Sequence, residues 1–300
     1  MSAHADLVLL NAKVITVDPR FSLARAVAAR GGRIAMVGED AHVRALIGPD
    51  TRVVDAGGRA VMPGLVDGHA HMDREGLKAL LPSLEGCASI DDVLQRIEAL
   101  VRESEPGRWI VTMPLGDPPQ YRDVPQNLRE RRFPDRRDLD RVSPRNPVYI
   151  RAIWGYWRHT LPLVSVANSR ALEAAAITRA TPAPCAAVEI DKDPATGEPT
   201  GIFIERTYVP IVELVLMPEA TRFSHADRVR GLAGSQRVYN AAGTTTVFEG
   251  HGVAAEVLRV YREVWERGGL TVRSHLVTSP WWRAPAGTSF DAILGSWGAG

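Results

Sequence analysis

Apolar positions in the first sixty residues fall in short runs without a helical period. LVLLNAKVITV (7–17), AVAARGGRIAMVG (26–38) and TRVVDAGGRAVM (51–62) are rich in Val, Ile and Leu, residue types that suit a pleated, half-buried surface. Gly31-Gly32 and Gly57-Gly58 interrupt these runs as hairpin turns do, because glycine reaches positive φ without a steric penalty. The pattern predicts a small β-module over residues 1–60.

After Pro63 strand-like and helix-like segments alternate, the texture of parallel βα units. SIDDVLQRIEALVRE (89–103) predicts an amphipathic helix. Ser89 can cap it, Asp92 stands at the capping-box position, and Ile90, Val93, Leu94, Ile97, Leu100 and Val101 share one face. Further helices are predicted over 165–177, 224–240 and 254–269, with DPATGEPTG (193–201) as a turn-rich loop. Candidate barrel strands lie at 61–67, 109–115, 147–153, 202–205, 244–248 and 270–277. That makes about six of the eight strands that a closed (β/α) barrel contains. The expected fold is therefore α/β, an incomplete TIM-like barrel over 61–300 preceded by the β-module.

Composition narrows the function classes. The 300 residues are 45% hydrophobic and 24% charged, with formal net charge +1, so no broad field attracts nucleic acid or an anionic membrane. No segment approaches the roughly 20 apolar residues of a membrane helix. Cys87 and Cys185 are the only cysteines, too few for a disulfide framework, and the expected compartment is the cytoplasm. The expected partner is a small-molecule substrate.

The chemistry concentrates after the predicted strands. In PGLVDGHAHMD (63–73), His69 and His71 are spaced i, i+2 behind strand 61–67. Residues so spaced point to one side, and the C-terminal mouth of a parallel barrel is where active sites form. Two imidazoles there suit zinc or another divalent cation; the same pair would also suit a polar surface loop. In GTTTVFEGHG (243–252), Glu249 and His251 repeat the spacing between glycines and are candidates for metal binding or for lining a pocket. Arg273 and His275 share one side of the last predicted strand. Trp154, Tyr156, Trp157, Trp281 and Trp282 follow predicted strands and are expected in core or cover packing.

A β-module followed by a strand and PGLVDGHAH resembles the amidohydrolase superfamily, whose signature is PGxxDxHxH. FPDRRDLDRVSPRNPVYI (133–150), VANSRALEAAAI (166–177) and DPATGEPTGIFIE (193–205) resemble segments of its YtcJ-like branch, which includes N-substituted formamide deformylases. The resemblance implies hydrolysis of a non-peptide carbon–nitrogen bond by zinc or another divalent metal, one or two ions, on a distorted TIM barrel. It implies His69 and His71 as metal ligands and Glu205 as a bridging carboxylate. HAHMD also resembles the HxHxD of cytosine-deaminase-like members, a reading that the TGEPTG and NSRAL segments oppose.

Departures from the pattern matter equally. The later HxxGD and xEH motifs and the late general-base aspartate have no counterpart. The chain therefore resembles the first half to two-thirds of such an enzyme. Open strand edges then predict homo-oligomerisation or poor solubility, and an inactive fragment with partial metal binding is the alternative to an active hydrolase.

Overall fold

The structure, a computed structural model, describes residues 4–118, 121, 123–152 and 161–278. The chain forms two compact units. The first joins the N-terminal residues through Ala70 to Tyr239–Gly250 and Thr271–Val277; the second comprises chiefly His71–Val238 and His251–Leu270.

The first unit opens with β1 (Leu7–Leu10) and β2 (Lys13–Ile15), then β3 (Leu23–Ala24), β4 (Ala26–Arg30), β5 (Arg33–Gly38), α1 (Asp40–Arg44), β6 (Arg52–Asp55), β7 (Ala60–Val61) and β8 (Leu65–Asp67). Asn11 breaks the first predicted run into two strands: its φ is 49°, a conformation Asn tolerates better than most residues. The turn Gly31-Gly32 has φ of 58° and 72° and closes an antiparallel β4–β5 hairpin, as expected. Gly57-Gly58 does not close a hairpin. β6 pairs parallel with β1 and β7 parallel with β2, so this turn carries the chain from the β5-β4-β1-β6 sheet to the β3-β2-β7 sheet. Val8, Leu10, Ala26, Ala28 and Val43 form the core against α1, the alternation that a one-sided sheet requires.

The chain continues with α2 (Met72–Lys78), α3 (Ile90–Arg102), β9 (Ile110–Thr112), α4 (Arg136–Asp140), β10 (Val148–Ile150), β11 (Leu163–Ala167), α5 (Ser169–Ala174), β12 (Val188–Lys192) and β13 (Pro199–Glu205). A π-helical turn, Val212–Leu216, precedes α6 (His225–Ala241), β14 (Thr244–Val253), α7 (Ala255–Glu266) and β15 (Arg273–Thr278). α3 forms as its periodicity predicts, with Ser89 Oγ accepting the Asp92 N–H at 3.1 Å and Ile90, Val93, Leu94 and Ile97 buried.

The strand count in one barrel needs correction. β9, β10 and β13 belong to a mixed five-stranded sheet, β12-β13-β11-β10-β9, in the second unit. β8, β14 and β15 form a separate three-stranded sheet. The cause is β11. Residues 163–167, within and just before the segment expected to be helical from 165, alternate Leu, Val, Ser, Val, Ala and pair antiparallel with both β10 and β13. The helix there is only Ser169–Ala174. One face of the five-stranded sheet, with Ile110, Val148, Ile150 and Val166, packs with α3 residues. The other, with Tyr149, Ala167, Val188, Ile190 and Phe203, lies with Val212 and Met217.

Candidate metal centre

The parts of the two glycine-bearing motifs that belong to the first unit, through Ala70 and through Gly250, lie side by side. β8 pairs parallel with β14 through Leu65↔Thr244 and Asp67↔Val247. The alignment continues past β8, where the Ala70 N–H donates to the Phe248 carbonyl at 2.8 Å. Two glycines permit this closeness. A Cβ on Gly64 would stand 2.2 Å from the Thr245 side chain, and one on Gly250 would stand 3.1 Å from His69 Nδ1. The His69 ring therefore rests over the Gly250 backbone, where an added Cβ would make a tight contact and the ring would have to give slightly. Asp67 holds the turn by accepting the His69 N–H at 3.0 Å.

His69 is exposed, and Glu249, beside Gly250, is fully buried. His71 is exposed and occupies the N-cap of α2. Its carbonyl accepts the N–H groups of Arg74 and Glu75, whereas its imidazole makes no capping bond. The backbone of His251 continues β14; its side chain lies outside the described residues. Arg273 and His275 share the exposed side of β15. The aromatic residues Trp154, Tyr156, Trp157, Trp281 and Trp282 lie outside the described residues.

Glu205 lies in the second unit, at the end of β13, and is 1% exposed. Its Oε1 accepts the Val212 N–H at 3.0 Å. Burial pushes its carboxyl above the usual carboxylate range; the Val212 and Ile211 N–H groups oppose the shift, and the charge of Glu213 adds to it. Glu213 makes a buried two-point bond with Arg151, Oε1 to Nε and Oε2 to Nη2, each 2.8 Å. The sequence pattern does not single out this pair. The signal was a lone carboxylate in the apolar run PIVELVLM (210–217) and a lone guanidinium after PVYI (147–150), since charges in such runs are buried only when paired.

Among the described residues no group of three or more His, Cys, Asp or Glu side chains is arranged to hold a metal. The donor chemistry of the His69 turn nevertheless fits half of such a site. It offers two imidazoles at i, i+2, with one ring seated in the space that Gly250 leaves open.

A profile described as the amidohydrolase family matches residues 52–294. The chain belongs to the amidohydrolase family. It is 36% identical over 210 residues to N-substituted formamide deformylase of Arthrobacter pascens, covering 68% of this chain and 35% of that protein. It is 29% identical over 241 residues to the amidohydrolase designated YtcJ of Bacillus subtilis, covering 76% of this chain and 40% of that one. The chain thus spans well under half the length of these relatives. The fold of the chain is shared with a crystal structure of an uncharacterized metal-dependent hydrolase from Pyrococcus horikoshii. That likeness has a TM-score of 0.63 at 22% identity and covers 89% of this chain and 47% of that one.

Proposed function

We propose that the protein is a metal-dependent hydrolase acting on non-peptide carbon–nitrogen bonds of the amide type. The observation that carries this reading is the joining of PGLVDGHAH to GTTTVFEGHG, with the His69 ring over Gly250 and the buried Glu249 beside it. Family membership and the likeness to a formamide deformylase support an N-substituted amide as the substrate class.

His69 and His71 would hold the ion, for which zinc suits the nitrogen donors. We assign Glu249 as the nearby carboxylate, in preference to Glu205, because Glu249 is on the strand paired with β8. The bound ion would activate water and polarise the scissile carbonyl. The chain's own part is positional: Asp67 fixes the turn, and Gly250 seats the ring.

We further place β8, β14 and β15 as successive strands of a (β/α) barrel. The parallel β8–β14 pairing and the position of α7 between β14 and β15 support this. The second unit's five-stranded sheet then becomes an insertion between the first two barrel strands, and residues 1–60 part of a composite β-sandwich. The free thiols Cys87 and Cys185 support a reducing compartment, the cytoplasm.

Metal analysis and an amidase assay on N-substituted formamides test the reading together. Gly250→Ala is expected to weaken metal retention by shifting the His69 ring, with the fold kept by circular dichroism. Full retention in Gly250→Ala would remove the seating argument.

A further inference from the structure

The second unit holds a cleft lined by none of the residues assigned to the metal turn. Its volume is about 610 Å³, inside the range of roughly 300–1,000 Å³ that small-molecule sites occupy. It lies between the C-terminal end of α3, the start of β9, the loop after α2 and the start of α6. Every lining residue belongs to the second unit. Leu80, Leu81, Leu100, Trp109 and Phe223 give the cleft an apolar body. Trp109 is partly buried and packs against the core of the five-stranded sheet, so it is a fixed wall rather than a loose surface side chain.

The charges lining the cleft leave one guanidinium over. Arg108, Arg222 and Arg230 stand against Glu219 and Asp227, and both carboxylates are engaged. Glu219 pairs with Arg222 at 3.2 Å. Asp227 accepts the Ser224 N–H at 3.0 Å and its hydroxyl at 2.6 Å, and pairs with Arg230 at 2.6 Å. The exposed Arg108 guanidinium makes no ion pair with a described residue. Its backbone is fixed all the same. Asn146, 2% exposed, donates from Nδ2 to the Glu105 and Arg108 carbonyls at 2.7 and 3.0 Å. The Gly107 N–H donates to the Arg145 carbonyl at 3.1 Å. An unmatched positive charge thus stands on a pinned turn beside an apolar hollow.

We propose that this cleft binds a small amphipathic carboxylate, with its apolar or aromatic body against Trp109, Phe223 and Leu100 and its carboxylate on Arg108. A guanidinium meets a carboxylate with two parallel N–H bonds. The pinned turn spares the ordering cost that a mobile loop would add on binding. Because Glu219 and Asp227 occupy the other two guanidiniums, a single anionic group is the complement.

The test is titration calorimetry of the 300-residue chain with phenylacetate, the neutral phenethyl alcohol and the cationic phenethylammonium. Phenylacetate should bind saturably and about tenfold more tightly than the alcohol, the size expected of a hydrogen bond to a charged group, and the ammonium compound should bind most weakly. Arg108→Glu should abolish the preference for the acid with Tm unchanged, since the side chain is exposed and unpaired. Arg108→Lys should keep part of the preference. The His69→Ala/His71→Ala double variant should bind the acid as the parent does. The proposal would be overturned by no saturable binding of the acid, by equal binding of acid and alcohol, or by an unchanged preference in Arg108→Glu. Loss of binding in the double histidine variant would overturn it as well, by placing the acid on the metal turn.

Discussion

Single side chains decide more of this fold than their polarity suggests. Asn168 is completely buried and uses its whole amide. Its Oδ1 accepts the Val148 and Ala171 N–H groups, and its Nδ2 donates to the Ser143 and Asn146 carbonyls, all at 2.9–3.1 Å. It thereby caps α5 and ties β10 to the turn before it. Asn168→Ala leaves several buried partners unsatisfied, and each such group costs about 1–3 kcal/mol. The expected loss is about 3 kcal/mol in urea unfolding, within the same range; a loss below about 0.5 kcal/mol would show that water replaces the amide. The HxH pair was legible in the sequence because its spacing is covalent. The Asn168 network was visible only as part of a resemblance, since three of its four partners come from the separate segment 143–148. Tyr149, Ser165 and Glu205 were harder still: only strand register brings them to one face.

At the level of elements, the decisive contacts are non-local. The sequence pattern predicted most strands and the long helices, yet assigned β9, β10 and β13 to the sheet of β8. Nothing in a local window distinguishes a strand that pairs with β8 from one that pairs with β11. Glycines mark some of these contacts. On α2, a Cβ at Gly76 would stand 1.8 Å from the Gly231 carbonyl oxygen of α6, whereas one at Gly234 meets nothing nearer than 3.6 Å. The Gly76 N–H also donates to Ser235 Oγ at 2.6 Å. Gly76→Ala should therefore force the helices apart and cost about 1–3 kcal/mol. Gly234→Ala, in the interior of α6, should be neutral or stabilise by up to about 1 kcal/mol. Thermal unfolding of the two variants compares them directly; equal shifts would contradict the close approach.

The first turn of α4 gives a pH prediction. Asp135 and Asp138 form a reciprocal capping box, and Arg132 binds both Asp138 oxygens. Burial raises the Asp138 carboxyl, but the Arg132 bond and the Asp135 N–H outweigh it and hold the carboxyl below its ordinary value of 3.8. A depressed folded value means that its stabilising contribution is present above the unfolded value and is lost as pH falls through the folded one. Unfolding free energy should thus decline below about pH 4 with a slope that Asp138→Asn reduces. An unchanged slope in the variant would assign the acid sensitivity elsewhere.

The whole molecule is an amidohydrolase-family chain that carries the first glycine-rich strand pair of its fold and a separate mixed sheet. It leaves apolar strand residues open to solvent: Val66 on β8 is 70% exposed, as is Ile34 on β5. Such strands favour association, and a rise in oligomer with concentration in sedimentation is the expected behaviour. The proposed function requires a divalent ion held at the His69 turn. Its most direct test is elemental analysis of the purified 300-residue chain beside the His69→Ala/His71→Ala double variant, both checked for folding by circular dichroism. Stoichiometric zinc or another divalent ion is expected in the parent chain, with its loss from the variant. A folded parent without divalent metal, or a variant that retains it in full, would rule out a metal site at the His69 turn.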